Sequence, residues 1–113
     1  MNAVAIEANP IVVQLLPRRV DAKAARGLLQ WARDEYARGA TRVVLDLSQV
    51  EFIDSLGIAT LCAIARVAPD RGALALAALS PYATTIARVT HLHEVLSVFV
   101  SVDAALRAPR LPS

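Results

Sequence analysis

The sequence is poor in several residue types, and each shortage argues against a class of protein. Its single cysteine, Cys62, rules out an intramolecular disulfide and a cysteine-rich structural metal site. The four glycines are not spaced as in either type of nucleotide-binding loop. Aromatic residues make up only 4% of the chain, so few side chains are available to stack on bases. We therefore expect neither a nucleotide-dependent enzyme nor a nucleic-acid-binding protein.

Long apolar runs are also missing, although 56% of the 113 residues are hydrophobic. Charged residues interrupt every run well before the roughly 20 residues that a membrane span requires. Residues 1–7 lack the charged segment, apolar segment and cleavage site of a secretory signal. The 12 basic and 10 acidic residues nearly balance, and the basic ones form no stripe. These features predict a soluble cytoplasmic protein without membrane insertion.

Strand-like and helix-like patterns alternate along the chain. The predicted strands cover residues 3–7, 11–16, 43–47, 73–79 and 96–99. The predicted helices cover residues 21–38, 56–67, 80–89 and 101–106. Asp21, Ser80 and Ser101 are the predicted N-caps, and Gly39 is predicted to close the first helix. The first two strands are separated only by turn-forming residues, which predicts an opening hairpin.

The alternation from residue 11 onward favours βαβ crossovers with right-handed connections. We therefore predict an α/β fold with a mixed, mostly parallel sheet of four to five strands and helices packed on it. The length of the chain fits one domain over residues 1–113. Two prolines near the end predict a flexible tail over residues 108–113.

Residues 43–61, VVLDLSQVEFIDSLGIATL, carry the strongest functional signal. They predict a buried strand, a loop anchored by Phe52 and Ile53, and a helix that starts near Asp54. A hydroxyl at Ser55 would lie close to unused backbone N–H groups and to the positive end of the helix dipole. A phosphate would be stabilised there and would make the surface repel an acidic partner. The local sequence alone favours an ordinary N-cap at Ser55, and a capping or turn residue at Asp54.

The same segment resembles the signature of STAS domains of the anti-sigma-factor-antagonist type. In that signature a strand ending in Asp-Leu is followed by a Phe-containing loop and an Asp-Ser-(Ser/Thr)-Gly turn. The resemblance extends over most of the chain. It includes Val20-Asp21-Ala22, the strand that follows Gly72, Ser80-Pro81, and the closing segment over residues 89–106.

The resemblance implies a partner-switching protein that is not an enzyme and needs no cofactor. In such a protein, unphosphorylated Ser55 allows binding to an anti-sigma-factor serine kinase. Phosphorylation of Ser55 ends the binding, and a PP2C-type phosphatase restores it. Asp21, Asp54, Leu56 and Gly57 would then shape the partner-binding surface around Ser55. A second interpretation is a STAS subunit that docks on the ATPase of an ABC-type lipid transporter.

The chain departs from the family pattern at three places. Leu56 replaces the second hydroxyl residue of the turn, which makes the turn more apolar. Arg18 and Arg19 replace a Gly-Glu pair, so a loop that is usually acidic becomes basic and fits a partner with acidic residues. His91 stands where the family usually has glycine, and we expect it to restrict the turn after the third helix.

Other candidate sites have weaker support. His91 and His93 have no convincing further ligands nearby, so we predict no metal site. Cys62 falls on the apolar face of the second helix, where an inert, buried thiol is expected. Trp31 is either a partner anchor or a residue at the edge of the core, and its usual burial favours the core.

Overall fold

A computed structural model describes residues 10–109 of the chain. The strands are β1 (Ile11–Leu15), β2 (Arg19–Val20), β3 (Arg42–Asp46), β4 (Phe52–Ile53), β5 (Leu74–Ala77) and β6 (Ser97–Phe99). The helices are α1 (Ala22–Ala37), α2 (Ser55–Val67), α3 (Pro81–Val89) and α4 (Val102–Arg107). Two short 3₁₀ turns, Arg71–Ala73 and Leu92–Glu94, precede β5 and β6.

The main sheet has the strand order β1-β3-β5-β6, and every neighbouring pair is parallel. A second, two-stranded parallel sheet joins β2 to β4. The predicted α/β fold with a mostly parallel sheet is therefore confirmed. The predicted hairpin cannot be traced in full, since residues 3–7 lie outside the described range, and β1 pairs in parallel with β3.

The sheet is covered on both faces, which explains why β3 and β5 read as unbroken apolar runs. A larger core forms where α1, α2 and α3 pack on one face, around residues such as Leu45, Leu61 and Leu76. On the other face α4 packs through Ala105 against a smaller cluster that includes Val44. Trp31 is partly buried against the larger core, so the prediction of a core-edge residue is confirmed.

Short polar side chains start the helices, as the sequence predicted. Asp21, Ser80 and Ser101 each accept a hydrogen bond from the backbone N–H three residues later, at 3.2, 3.1 and 3.0 Å. Each cap satisfies a donor that the helix itself leaves unused. At the other end of α1, Gly39 has a φ of +103°, a conformation that glycine adopts easily.

His91 adopts the left-handed conformation, with a φ of +58°. Glycine adopts this conformation more easily than other residues. The position at which the family usually has glycine is therefore the one that needs the left-handed conformation. The ring of His91 pairs with the carboxylate of Glu94, three residues later. The turn therefore keeps its shape although a side chain with a Cβ occupies it.

Arg42, the first residue of β3, is buried, and sequence reasoning assigned it no role. Its guanidinium donates to the carbonyl oxygens of Gly72 at 3.0 Å, Ala105 at 2.8 Å and Ala108 at 2.8 Å. It thereby ties the end of α4 to the start of β5. The tail was predicted to be flexible over residues 108–113, but Ala108 is held by its contact with Arg42. For residues 110–113, which lie outside the described range, flexibility stays a prediction.

None of the helices within residues 10–109 is both long enough and apolar enough to cross a membrane.

Candidate functional site

The two-stranded sheet brings the starts of α1 and α2 together. Val20 is opposite Ile53 in the ladder, and the N–H of Asp54 donates to the Val20 carbonyl at 3.4 Å. Asp21 and Asp54 therefore each lie one residue beyond a paired strand, where a helix begins. The residues predicted to shape the site thus share one end of the molecule.

Asp54, and not Ser55, is the N-cap of α2. The Oδ1 atom of Asp54 accepts from the N–H of Gly57 at 2.8 Å, and its carbonyl accepts from the N–H of Ile58 at 3.0 Å. Ser55 is the first residue of the helix. The interpretation of Ser55 as an ordinary N-cap is therefore wrong, because Asp54 already supplies the capping oxygen.

The side chain of Ser55 is exposed to solvent. Its hydroxyl makes no hydrogen bond to any residue in the described part of the chain. The N–H groups of Ser55 and Leu56 belong to the first turn, whose donors have no acceptor within the helix. A phosphate on Ser55 would thus find free donors and the positive end of the α2 dipole without breaking a hydrogen bond of this hydroxyl.

Gly57 is buried where α2 begins, pressed against β2. A Cβ atom at this position would lie 2.5 Å from the carbonyl oxygen of Val20 and 2.7 Å from the Cγ1 atom of Ile53. The backbone of α2 thus closely approaches the strand that leads into α1. Glycine is therefore required here, because a Cβ atom would clash with both of these atoms.

The surface around Ser55 combines apolar and basic groups. Leu56 is 56% exposed although it is a large aliphatic residue. The guanidinium of Arg19 lies over the ring of Phe52, 4.3 Å from its centroid, in a cation–π contact. We call Arg19, Phe52, Ser55 and Leu56 the Ser55 surface. At two positions of this surface, Leu56 and Arg19, the chain departs from the family pattern.

Three further side chains hold the segment that leads to Ser55, and sequence reasoning did not assign them this role. The Tyr82 hydroxyl accepts from the N–H of Ile53 at 3.1 Å. Gln49 donates to the Leu16 carbonyl at 2.8 Å, and Ser80 donates to the Val50 carbonyl at 2.6 Å. Only Ser80 had a local signal, as an N-cap. The other contacts join residues about 30 positions apart, which no local pattern reveals.

Within residues 10–109, no group of three or more His, Cys, Asp or Glu side chains is arranged to hold a metal ion. The Nδ1 atom of His93 lies 3.2 Å from the Ala87 carbonyl oxygen, and His91 is engaged with Glu94. Cys62 is half-buried on α2. Among the described residues, these side chains therefore form no group that could hold a metal ion, and Ser55 presents an exposed hydroxyl at the start of α2.

A family model described as "Mlab, STAS domain" matches residues 3–103. The chain belongs to the STAS domain family. The resemblance noted in the sequence is thus confirmed at the level of the family, and the match covers the Ser55 surface together with all the strands and the starts of all the helices.

Solved structures of STAS domains share the fold. An anti-sigma-factor antagonist (STAS) domain protein from Planctomyces limnophilus is 26% identical, with 93% of this chain and 92% of that chain covered and a TM-score of 0.74. An anti-sigma factor antagonist from Mycobacterium paratuberculosis is 23% identical, with coverages of 93% and 90% and a TM-score of 0.78. The antagonist SpoIIAA in its unphosphorylated form is 16% identical, with coverages of 93% and 92% and a TM-score of 0.70. No curated protein matches this STAS domain.

Proposed function

We propose that this protein is a cytoplasmic partner switch of the anti-sigma-factor-antagonist type and not an enzyme. In its unphosphorylated form it binds an anti-sigma-factor serine kinase through the Ser55 surface. Phosphorylation of Ser55 by that kinase ends the binding, and a PP2C-type phosphatase restores it. The observation that carries the proposal is the exposed, unbonded hydroxyl of Ser55 at the first position of α2.

The position of Ser55 supports a switch that acts by charge. A phosphate carries about −1.5 to −2 charges at neutral pH. Next to the Asp54 carboxylate, it would concentrate negative charge on a surface that otherwise presents Leu56 and Arg19. Because Asp54 already caps the helix, the domain would keep its fold in both states. Binding would then change while stability would not.

The charges near Ser55 support a partner that is acidic at the contact. Arg18 and Arg19 are both exposed, and neither forms an ion pair with a residue in the described range. Asp21 and Asp54 have one carboxylate oxygen each committed to a helix N–H. Within that range, Arg18 and Arg19 are therefore unpaired cations that an acidic partner could contact, although Glu51 is also exposed nearby. A phosphate on Ser55 would add negative charge next to these arginines, which fits a loss of affinity for an acidic partner.

The proposal is tested by phosphorylation with the cognate kinase. Purified protein is incubated with the kinase and radiolabelled ATP, and one phosphate per chain is expected on Ser55. Ser55→Ala should remove the label. Ser48→Ala is the matched control, because Ser48 is also an exposed serine near the same end of the sheet. Equal labelling of the wild-type protein and Ser55→Ala would contradict the site assignment.

The electrostatic mechanism has a separate test in the affinity of Ser55→Asp for the kinase. We expect binding to weaken by at least about tenfold, since an added charge on a contact surface typically costs more than 1 kcal/mol. Circular dichroism should show an unchanged fold. If Ser55→Asp binds as tightly as the wild-type protein, charge at this position does not control docking.

A second candidate function is constant docking on the ATPase of an ABC-type lipid transporter. Two observations favour it: the matching family model carries the name Mlab, and the turn presents an exposed Leu56 in place of a second hydroxyl residue. An apolar side chain can anchor a permanent interface without any modification. In that case Leu56→Asp would abolish copurification with the ATPase, whereas Ser55→Ala would leave it intact.

A further inference from the structure

The edge of the sheet at β6 forms a second exposed surface, far from Ser55. β6 pairs with β5, and no other strand within residues 10–109 pairs with its second side. The α2 helix has 13 residues, which corresponds to about 20 Å between its ends. Ser55 lies at one end of this helix, and Ala68, which lines a groove beside β6, lies just past the other. The two surfaces are therefore distinct.

Two grooves lie next to each other along β6. A groove of about 510 Å³ lies between the end of α2 and β6, and one of about 420 Å³ lies between α3 and β6. His93 and Val98 line both of them. The strand and its grooves thus make one continuous band, which we call the β6 edge.

Exposed aliphatic side chains are concentrated at the β6 edge. Val95 is 70% exposed and Val100 is 92% exposed, and Val98 between them also projects into solvent. Proteins usually protect an open strand edge with charged residues, proline or a bulge. β6 has none of these at its centre and is protected only by its short length. Such an edge is suited to pairing with another strand.

The backbone of Val98 is available for that pairing. The carbonyl of Phe99 accepts from the N–H of Ala78 at 3.1 Å, so Phe99 directs its backbone groups toward β5. Backbone groups of successive residues in a parallel strand point to opposite sides. The N–H and carbonyl of Val98 therefore face away from the sheet. A strand added here would gain hydrogen bonds without displacing any of the existing ladder.

The charges at the β6 edge select the kind of strand that fits. Arg71 lines the first groove, Arg88 the second, and Arg66 a smaller groove beside Val95. None of these three arginines has an ion-pair partner among residues 10–109. Two carboxylates lie nearby: Asp70 accepts from the Gly72 N–H at 2.9 Å, and Glu94 pairs with His91. Three arginines against two carboxylates leave a net positive charge at the β6 edge.

We infer that the β6 edge binds an extended acidic and aliphatic segment of a protein partner, which adds as a strand beside β6. The backbone of Val98 supplies the pairing, the exposed valines contact apolar side chains of the segment, and the arginines contact its carboxylates. A second copy of this chain fits less well, because symmetric pairing would bring like-charged arginines together. A bilayer surface fits less well too, because it offers no strand for Val98.

The test uses the full chain and a short fluorescent peptide that alternates glutamate and valine. The same peptide with lysine for glutamate is the matched control. We expect the glutamate peptide to bind at least about tenfold more tightly in fluorescence anisotropy, and Arg71→Glu with Arg88→Glu to reverse the preference. Ser55→Asp should leave peptide binding unchanged. Equal binding of the two peptides, or no binding of the glutamate peptide, would overturn the inference.

Strand addition has its own readout. Hydrogen exchange of the Val98 amide, followed by NMR in the wild-type protein, should slow when the glutamate peptide is bound. Val98→Pro removes that N–H and should abolish binding, whereas Val98→Thr keeps it and should bind. Unchanged exchange at Val98 would overturn the inference even if the proline variant fails to fold.

Two further measurements test whether a second copy of the chain or a membrane binds at the β6 edge instead. Sedimentation of the protein alone should show that two copies do not associate through the β6 edge. A dimer that Val98→Pro abolishes would assign the edge to a second copy. Cosedimentation with phosphatidylglycerol vesicles that depends on Arg71 and Arg88 would assign it to a membrane. Either result would overturn the assignment to an acidic peptide.

Discussion

At the two ends of the parallel strands, side chains of opposite charge contact the helix termini, and the difference reflects which ends of the helices meet there. At the carboxyl end, Asp21 and Asp54 accept hydrogen bonds from the first turns of α1 and α2. At the amino end, Arg42 donates to the carbonyls at the end of α4. In each case the charge of the side chain is opposite in sign to the partial charge at that end of the helix, which is favourable. The carboxyl end remains open around Ser55, whereas the amino end is closed over a buried guanidinium.

The largest expected effect is at the closed end. Arg42→Met would leave buried carbonyls of Gly72 and Ala105 without their donor, and we expect a loss of about 3 kcal/mol in the free energy of unfolding. Urea unfolding followed by the fluorescence of Trp31 would measure it. Arg38→Met is the control, because Arg38 is exposed and its pair with Glu35 should contribute less than about 1 kcal/mol. Equal losses would mean that Arg42 does not close this end.

At the open end, the largest effect is expected from Gly57→Ala. The new methyl group would lie 2.5 Å from the Val20 carbonyl and push α2 away from β2, at a cost of about 2 kcal/mol. In contrast, Gly27→Ala in the exposed middle of α1 should stabilise the protein by about 1 kcal/mol. Two substitutions of the same kind should therefore shift the unfolding midpoint in opposite directions. A stabilising Gly57→Ala would contradict the tight packing.

Sequence patterns predicted where the helices start, but they did not predict the two-stranded sheet of β2 and β4. A cap depends on residues three positions apart, so Asp21 and Ser80 could be found from the sequence. β2 and β4 have two residues each and form only because distant segments pair, so no periodicity indicates them. The β6 strand was predicted, but its open grooves depend on the packing of α2 and α3.

The same distinction applies to individual side chains in the candidate site. The likeness of residues 54–57 to a family turn pointed to Ser55, but local sequence left open which residue was the cap. The geometry resolves this because a single carboxylate oxygen of Asp54 reaches the Gly57 N–H. Arg42 was overlooked because a charged residue at the start of a strand is usually exposed. Its burial depends on carbonyls supplied by segments 30 and more residues away.

A smaller effect should separate the roles of the two residues at the start of α2. Asp54→Ala removes the cap and should cost about 1 kcal/mol, and Asp54→Asn should recover most of it. Ser55→Ala should change stability by less than about 0.5 kcal/mol, because its hydroxyl makes no hydrogen bond within the described chain. Thermal unfolding would compare the three variants. A comparable loss in Ser55→Ala would show that the hydroxyl helps to hold the helix.

The smallest effect concerns Ala78, which follows β5 at the carboxyl end and has a φ of +56°. Ala78→Gly relieves the strain of the left-handed conformation but adds freedom to the unfolded chain, so we expect a net gain of about 0.5 kcal/mol. Ala59→Gly on the exposed side of α2 is the control and should lose about 1 kcal/mol. A loss at both positions would mean that Ala78 is not strained.

The ladder between β2 and β4 is formed by main-chain atoms and, with the Tyr82 hydroxyl on the Ile53 N–H, it sets the place of Ser55. Almost any pair of side chains at positions 19 and 52 would leave that ladder intact, so evolution is free to change what surrounds the serine without moving it. Proteins with few residues in common can in this way keep the same backbone position for this residue while the side chains around it change. Gly57 is the exception next to Ser55, because it cannot be replaced by a residue with a side chain without moving the backbone.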